Sequence, residues 1–205
     1  RSLWHNQGES LKFHEGLTNS AGYHHPWESK PWSWPMGLRP MLYHYADQGV
    51  TGCGRSACVS AVMLIGTPAM WWLALPMLGW AIWRTVTRFD WRYAAMLVGY
   101  LAGLLPWFLD LDRQMYYFYA VPMAPFMVIG FALVLGDILG PAPIVRTANG
   151  YRFAVPSERH SLNLLLVCLY VGLVVANFIW LWPILTGWPI TPGNWQAHLW
   201  LPSWR

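Results

Sequence analysis

Three cations, Lys30, Arg39 and Arg113, stand in segments crowded with tryptophan, tyrosine and proline, a combination suited to holding a phosphate or a sugar. A guanidinium offers phosphate oxygens a planar fork of donors, and an ammonium adds a compact charge. Lys30 belongs to His24-His25-Pro26-Trp27-Glu28-Ser29-Lys30-Pro31-Trp32-Ser33-Trp34-Pro35, which Arg39-Pro40 closes. Its prolines fix φ and remove backbone donors, so the stretch reads as a stiff, irregular path rather than a helix. The plainer reading is an aromatic belt at a membrane–water interface, with indoles at headgroup level and charges kept wet. Arg113 follows Asp110-Leu111-Asp112 and opens the aromatic run Tyr116-Tyr117-Phe118-Tyr119. Asp110 and Asp112 are close enough for general acid–base work, but the adjacent Arg113 more simply neutralises them.

The remaining reactive residues point to less. His14, His24, His25 and His44, with Glu15 and Glu28, match neither HExxH nor Cys/His finger spacing, which predicts local hydrogen bonds and no metal site. Cys53 and Cys58 flank Gly54-Arg55-Ser56-Ala57 and either close a small disulfide loop or remain thiols. Cys168 reads as a packing residue. The sequence contains no glycine-rich phosphate loop, nucleophile elbow or dinucleotide fingerprint.

The elements that must position these residues are those of a membrane protein. Apolar residues make up 56% of the 205-residue chain and charged residues 11%, against roughly 25% charged in an average soluble domain. The net charge of +4 comes without a dense basic stripe, which argues for anionic headgroups over nucleic acid. Apolar runs at about 57–83, 93–109, 115–139 and 161–186 predict an all-α protein with four transmembrane helices. Residues 1–56 form an aromatic, proline-rich juxtamembrane segment, and 187–205 a tryptophan-rich tail. Gly99 and Gly103 permit close helix approach. Arg84, Arg88 and Arg92 in one loop, and Arg146, Arg152 and Arg159 in another, mark the cytoplasmic side by the positive-inside rule. Both termini, the opening stretch and Arg113 then share the extracytoplasmic face. With neither an initiator Met nor a signal segment ahead of that face, a larger polytopic parent is expected. No span carries a midplane charge, which argues against a channel or transporter.

Phe13-His14-Glu15-Gly16-Leu17, the His25 to Pro35 element, and Arg113-Gln114-Met115-Tyr116-Tyr117-Phe118-Tyr119-Ala120-Val121-Pro122 together resemble the C-terminal four-span region of protein O-mannosyltransferases, in particular the bacterial polyprenyl-phosphate-mannose enzymes of the GT-C type and glycosyltransferase family 39. The resemblance covers nearly the whole chain. It implies transfer of mannose from a polyprenyl-phosphate carrier to Ser or Thr of exported proteins at the plasma membrane, without a cofactor. It places the catalytic Asp-Glu pair in an N-terminal half outside this chain, so the chain alone is expected to be inactive. Arg113 is expected at the donor phosphate, with Lys30 or Arg39 as a second cation. Trp32, Trp34 and Tyr117 are expected on the sugar and acceptor side of the cleft; His14 and Glu15 join them by motif only. Membrane lipids and the protein-export machinery complete the expected partners. The competing readings are a non-catalytic four-span scaffold and a lipid-linked sugar transferase with another acceptor.

Overall fold

The structure, a computed structural model, describes residues 2–22, 24–141, 144–147, 150–153 and 157–205. The fold is mostly helical, but two hairpins depart from the expected all-α architecture. Helix α1 (Leu3–Glu15) starts at the Ser2 cap, whose hydroxyl accepts from the His5 N–H, and buries none of its side chains. A 3-10 helix, Pro31–Met36, follows and ends at Gly37 in the left-handed conformation (φ 58°). Strands β1 (Met41–Ala46) and β2 (Ser60–Leu64) then pair antiparallel.

The run expected as one helix over 57–83 is thus divided. Its first part alternates between buried and half-buried positions as β2. Pro68 opens the short α2 (Pro68–Trp71), and α3 (Ala74–Arg88) carries the remainder past Trp83. Hydrophobicity alone does not separate a buried strand from a helix, and here the Gly66-Thr67-Pro68 break sets the boundary. The α3–α4 turn places Phe89 in the left-handed region (φ 51°) and caps α4 (Trp91–Leu104) with Asp90. Irregular chain and a 3-10 helix, Tyr117–Met123, lead into α5 (Ala124–Leu139). Strands β3 (Ile144–Thr147) and β4 (Gly150–Phe153) occupy the loop expected to be a simple connector; its residues 142–143, 148–149 and 154–156 lie outside the described set. Helix α6 (Glu158–Thr186) has 29 residues, about 43 Å at 1.5 Å per residue. Helix α7 (Pro192–His198) lies in the tail.

Among the described residues, two helices are long and apolar enough to cross a membrane: Tyr117–Leu139, which counts α5 with its lead-in, and α6. Helices α3 and α4 have 15 and 14 residues and reach only about 20 Å without their flanking turns. Gly99 serves packing within the chain, because a Cβ there would overlap the Phe126 ring of α5.

Two cores share the work. One joins α3, α4 and α5 to the two 3-10 helices, Pro31–Met36 and Tyr117–Met123, through Met77, Tyr93, Tyr100, Tyr117, Met127 and Trp34. The other packs the far end of α6 and the tail on the first hairpin, through Met63, Leu181, Ile184, Trp195 and Trp204. Ile190 extends that hairpin by exchanging backbone bonds with Val59 at 2.8 and 2.9 Å. The short α2 needs side-chain support where it meets α6. Asn177 Oδ1 accepts from the Ala69 N–H at 3.0 Å, and the Tyr170 hydroxyl donates to the Ala69 carbonyl at 3.2 Å. The Cys53 and Cys58 sulfurs are joined in a disulfide directly ahead of β2.

At the α3–α4 turn, Asp90 accepts from Arg92 and Arg84. Hydrogen bonds from Arg92 are the largest cause holding the Asp90 carboxyl far below its ordinary range, with Arg84 assisting.

Two tests follow from these contacts. Asn177→Leu orphans the Ala69 N–H, and thermal unfolding of the full-length protein in detergent should show a loss of about 1–3 kcal/mol. Ionised Asp90 contributes stability above its ordinary pKa, and that contribution is lost as pH falls toward the depressed folded value. The unfolding temperature should therefore fall more steeply between roughly pH 5 and pH 2 in the parent than in Asp90→Asn, where this source of acid sensitivity is absent.

Candidate functional site

Residues 17–30 and 111–115 are far apart in sequence but lie side by side. Thr18 bridges Arg113 as an isolated β-pair. The Asn19 N–H donates to the Asp112 carbonyl at 2.8 Å, the Gln114 N–H to Leu17 at 3.0 Å, and the Ser29 N–H to Met115 at 2.9 Å. Side chains reinforce this seam. Asp112 accepts from the backbone N–H of Ser20 at 3.0 Å and from its hydroxyl. The Lys30 ammonium donates to the carbonyls of Leu111 and Arg113 at 2.9 and 3.1 Å, and pairs with Glu28 at 2.7 Å. Glu28 also accepts from Asn19 Nδ2 at 2.8 Å.

These bonds assign work to the cations that their spacing did not disclose. An ammonium has three N–H groups, and the three contacts of Lys30 match that number. Lys30 therefore holds the backbone of Arg113 in place instead of presenting a bare charge. Arg39 is likewise committed: it donates to the carbonyls of Ser203, at 2.6 Å, and Pro26, and lies 5.0 Å over the Trp27 ring. Arg113 differs from both. Its Nε is buried without a hydrogen-bond partner, and its guanidinium forms no ion pair among the described residues. Arg84 Nε is also buried and unpartnered, but that guanidinium already pairs with Asp90 and Asp137.

Behind the seam the aromatic residues form a continuous wall. His25 meets Tyr116 edge-on at 5.4 Å, Tyr116 stacks on Phe118, and Phe118 contacts Tyr119. Tyr119 stacks on Trp107 at 4.1 Å, and Trp107 meets Trp34 edge-on at 5.9 Å. Burial is the main cause raising the Tyr116 pKa, and the Glu28 carboxylate adds to it. That phenol stays neutral near pH 7.

The residues expected on the sugar and acceptor side separate. Trp32 is 61% exposed, whereas Trp34 is fully buried and its indole N–H donates to Ser29 Oγ at 2.9 Å. Trp34 therefore supports the wall from behind and offers no surface to a ligand. Tyr117 is 2% exposed, edge-on to Trp71 at 5.4 Å, beside a cavity of about 170 Å³ that Gly66 and Thr67 also line. His14 and Glu15 are exposed at the end of α1, where His14 contacts the Phe13 ring. No cluster of His, Cys, Asp and Glu fit to hold a metal occurs among the described residues. Residues missed from the sequence include Asn19 and Ser20. Their role depends on pairing with a turn some ninety residues later, for which no local spacing gives a signal.

Similarity to known proteins follows the same lines. The model of the family described as the C-terminal four TMM region of protein-O-mannosyltransferase matches residues 1–204. The polyprenol-phosphate-mannose–protein mannosyltransferase of Mycolicibacterium smegmatis is 59% identical over all 205 residues, and that of Mycobacterium tuberculosis 60%. The Corynebacterium glutamicum protein of the same name is 37% identical over 195 residues. The chain spans 38% of the M. smegmatis protein, 37% of the M. tuberculosis protein and 35% of the C. glutamicum protein. In fold, the whole chain superimposes on 27% of a chain of the S. cerevisiae protein O-mannosyltransferase Pmt1-Pmt2 complex bound to the sugar donor, with a TM-score of 0.69 at 20% identity. The family model and these relatives match across the full length and lead to one assignment: this chain belongs to the protein O-mannosyltransferase family, in its C-terminal membrane region.

Proposed function

We propose that this chain is the donor-binding part of a polyprenyl-phosphate-mannose–protein mannosyltransferase, which passes mannose to Ser or Thr hydroxyls of exported proteins. The observation that carries the reading is Arg113: a buried Nε without a partner, on a backbone that Lys30, Asn19 and Ser20 hold in place. Burying a donor unpaired is costly, and a phosphate oxygen would satisfy it with a charge-assisted bond. Asn19 Oδ1, also buried and unpartnered, offers an acceptor on the same seam. Lys30 and Arg39 act as braces. Trp32, exposed on the same layer, supplies an aromatic face for the sugar or acceptor.

Catalysis proper requires groups outside this chain. The base that takes the hydroxyl proton is a carboxylate of the N-terminal half, and Arg113 stabilises the phosphate as it leaves. The chain alone is inactive in this reading. Four spans formed by α2 with α3, α4 with its following turn, α5 with its lead-in, and α6 put Arg113 and both termini outside the cytoplasm, in the plasma membrane. The basic residues Arg84, Arg88, Arg92 and Arg159 at the other end support that orientation.

Arg113→Ala in the full-length enzyme should raise KM for the lipid-linked donor about tenfold or more, the scale expected on losing one charge-assisted contact, with KM for a Ser/Thr-rich acceptor peptide nearly unchanged. Arg113→Lys should recover only part of the loss, because an ammonium lacks the fork. Steady-state mannosyl transfer with each substrate varied in turn checks both. Unchanged donor kinetics would remove Arg113 from the site.

A further inference from the structure

At the end of the helices opposite Arg113 lies a groove that the mannosyl-transfer reading does not use. An apolar channel of about 480 Å³ runs between α3, α5 and α6, walled by Met77, Phe131, Leu135, Leu166, Val167 and Tyr170. Trp80, Val134 and Ile138 continue its wall into a chamber of about 390 Å³ that reaches Asp137, Arg159 and Asn163. Those three residues, with Ile138, also border a third chamber of about 500 Å³ at Ser157 and His160. The shared walls make one continuous groove that changes from hydrocarbon to polar along its length.

The charges at the polar end favour an anion. Asp137 is already compensated: it accepts from Tyr93 at 2.7 Å and Trp80 at 3.2 Å, and pairs with Arg84 at 3.3 Å. Arg159 forms no ion pair among the described residues. It occupies the first turn of α6 with Glu158 and His160, where the Ser157 hydroxyl already takes the His160 N–H at 3.2 Å, so the positive charge lining the groove is that of the Arg159 side chain. The apolar end adjoins the strongly exposed α6 residues Leu162, Leu165 and Leu169, an apolar face on a helix long enough to cross a membrane.

We infer that this groove holds a resident anionic glycerophospholipid, with an acyl chain between α5 and α6 and its phosphate at Arg159, His160 and Asn163. Basic pockets between membrane helices bind anionic headgroups in this way. The occupant is distinct from the mannosyl donor, because the Asp137 end of α5 abuts the α3–α4 turn whereas Arg113 precedes the start of α5. The inference rests on the membrane setting of the chain and is independent of the role of Arg113.

The test uses the full-length protein reconstituted with photoactivatable phosphatidylglycerol or, separately, photoactivatable phosphatidylcholine. Phosphatidylglycerol should label α5 and α6 peptides containing Phe131–Ile138 and Leu166–Tyr170, with far less label from phosphatidylcholine. Arg159→Gln, a change at an exposed position, should lower labelling about tenfold, and Val167→Trp should displace it by filling the channel. Equal labelling by the two probes overturns the inference, as does labelling unchanged in Arg159→Gln. So does an intact, monodisperse protein with no label on either helix, the result if another segment of the full-length chain fills the groove.

Discussion

Irregular backbone packed against apolar helices must have its N–H and C=O groups satisfied by side chains, since hydrocarbon offers them nothing. Much of this structure answers that constraint. The turn from Leu111 to Met115 has no regular structure of its own. It is held by the Lys30 ammonium, the Asp112–Ser20 bonds and a short seam of backbone bonds to residues 17–29. The broken helix at Pro68 meets the same demand through Asn177 and Tyr170, polar residues of an otherwise apolar helix. Asp137 answers it for charge, gathering Arg84, Tyr93 and Trp80 about one carboxylate.

The sequence was most legible where a single physical variable governs the outcome. Length and hydropathy found the runs at 115–139 and 161–186, and the two long apolar helices fall there to within a few residues. The pattern failed between 57 and 83, where β2 is buried by the tail and by the far end of α6, elements more than a hundred residues away. Hydropathy reports that such a segment is buried, not which backbone buries it. Gly99 was read correctly as a point of close approach, and its partner proved to be Phe126 in the same chain.

The candidate site was legible in its residue types and not in their employment. Lys30, Arg39 and Arg113 are alike on paper. In the fold, carbonyl partners engage Lys30 and Arg39, and the buried Nε of Arg113 has none. Trp32 and Trp34 sit two positions apart in a tight 3-10 helix, so one faces out while the other fills the core. The motif resemblance identified the family, but only the tertiary bonds distinguish the cations that brace the backbone from the one whose buried Nε has no partner.

The bridge made by Arg39 joins segments made far apart in time. One guanidinium ties the carbonyl of Pro26 to that of Ser203, and the Ser203 hydroxyl returns a bond to Leu38. The opening segment and the tail are therefore parts of one layer, although the intervening helices are all made between them. During synthesis Pro26 emerges long before Ser203 and stays without this tie until the tail has followed. The seam that holds Arg113 uses residues 17–30 alone and can form early, whereas the tie between Pro26 and Ser203 can close only once translation has passed Ser203.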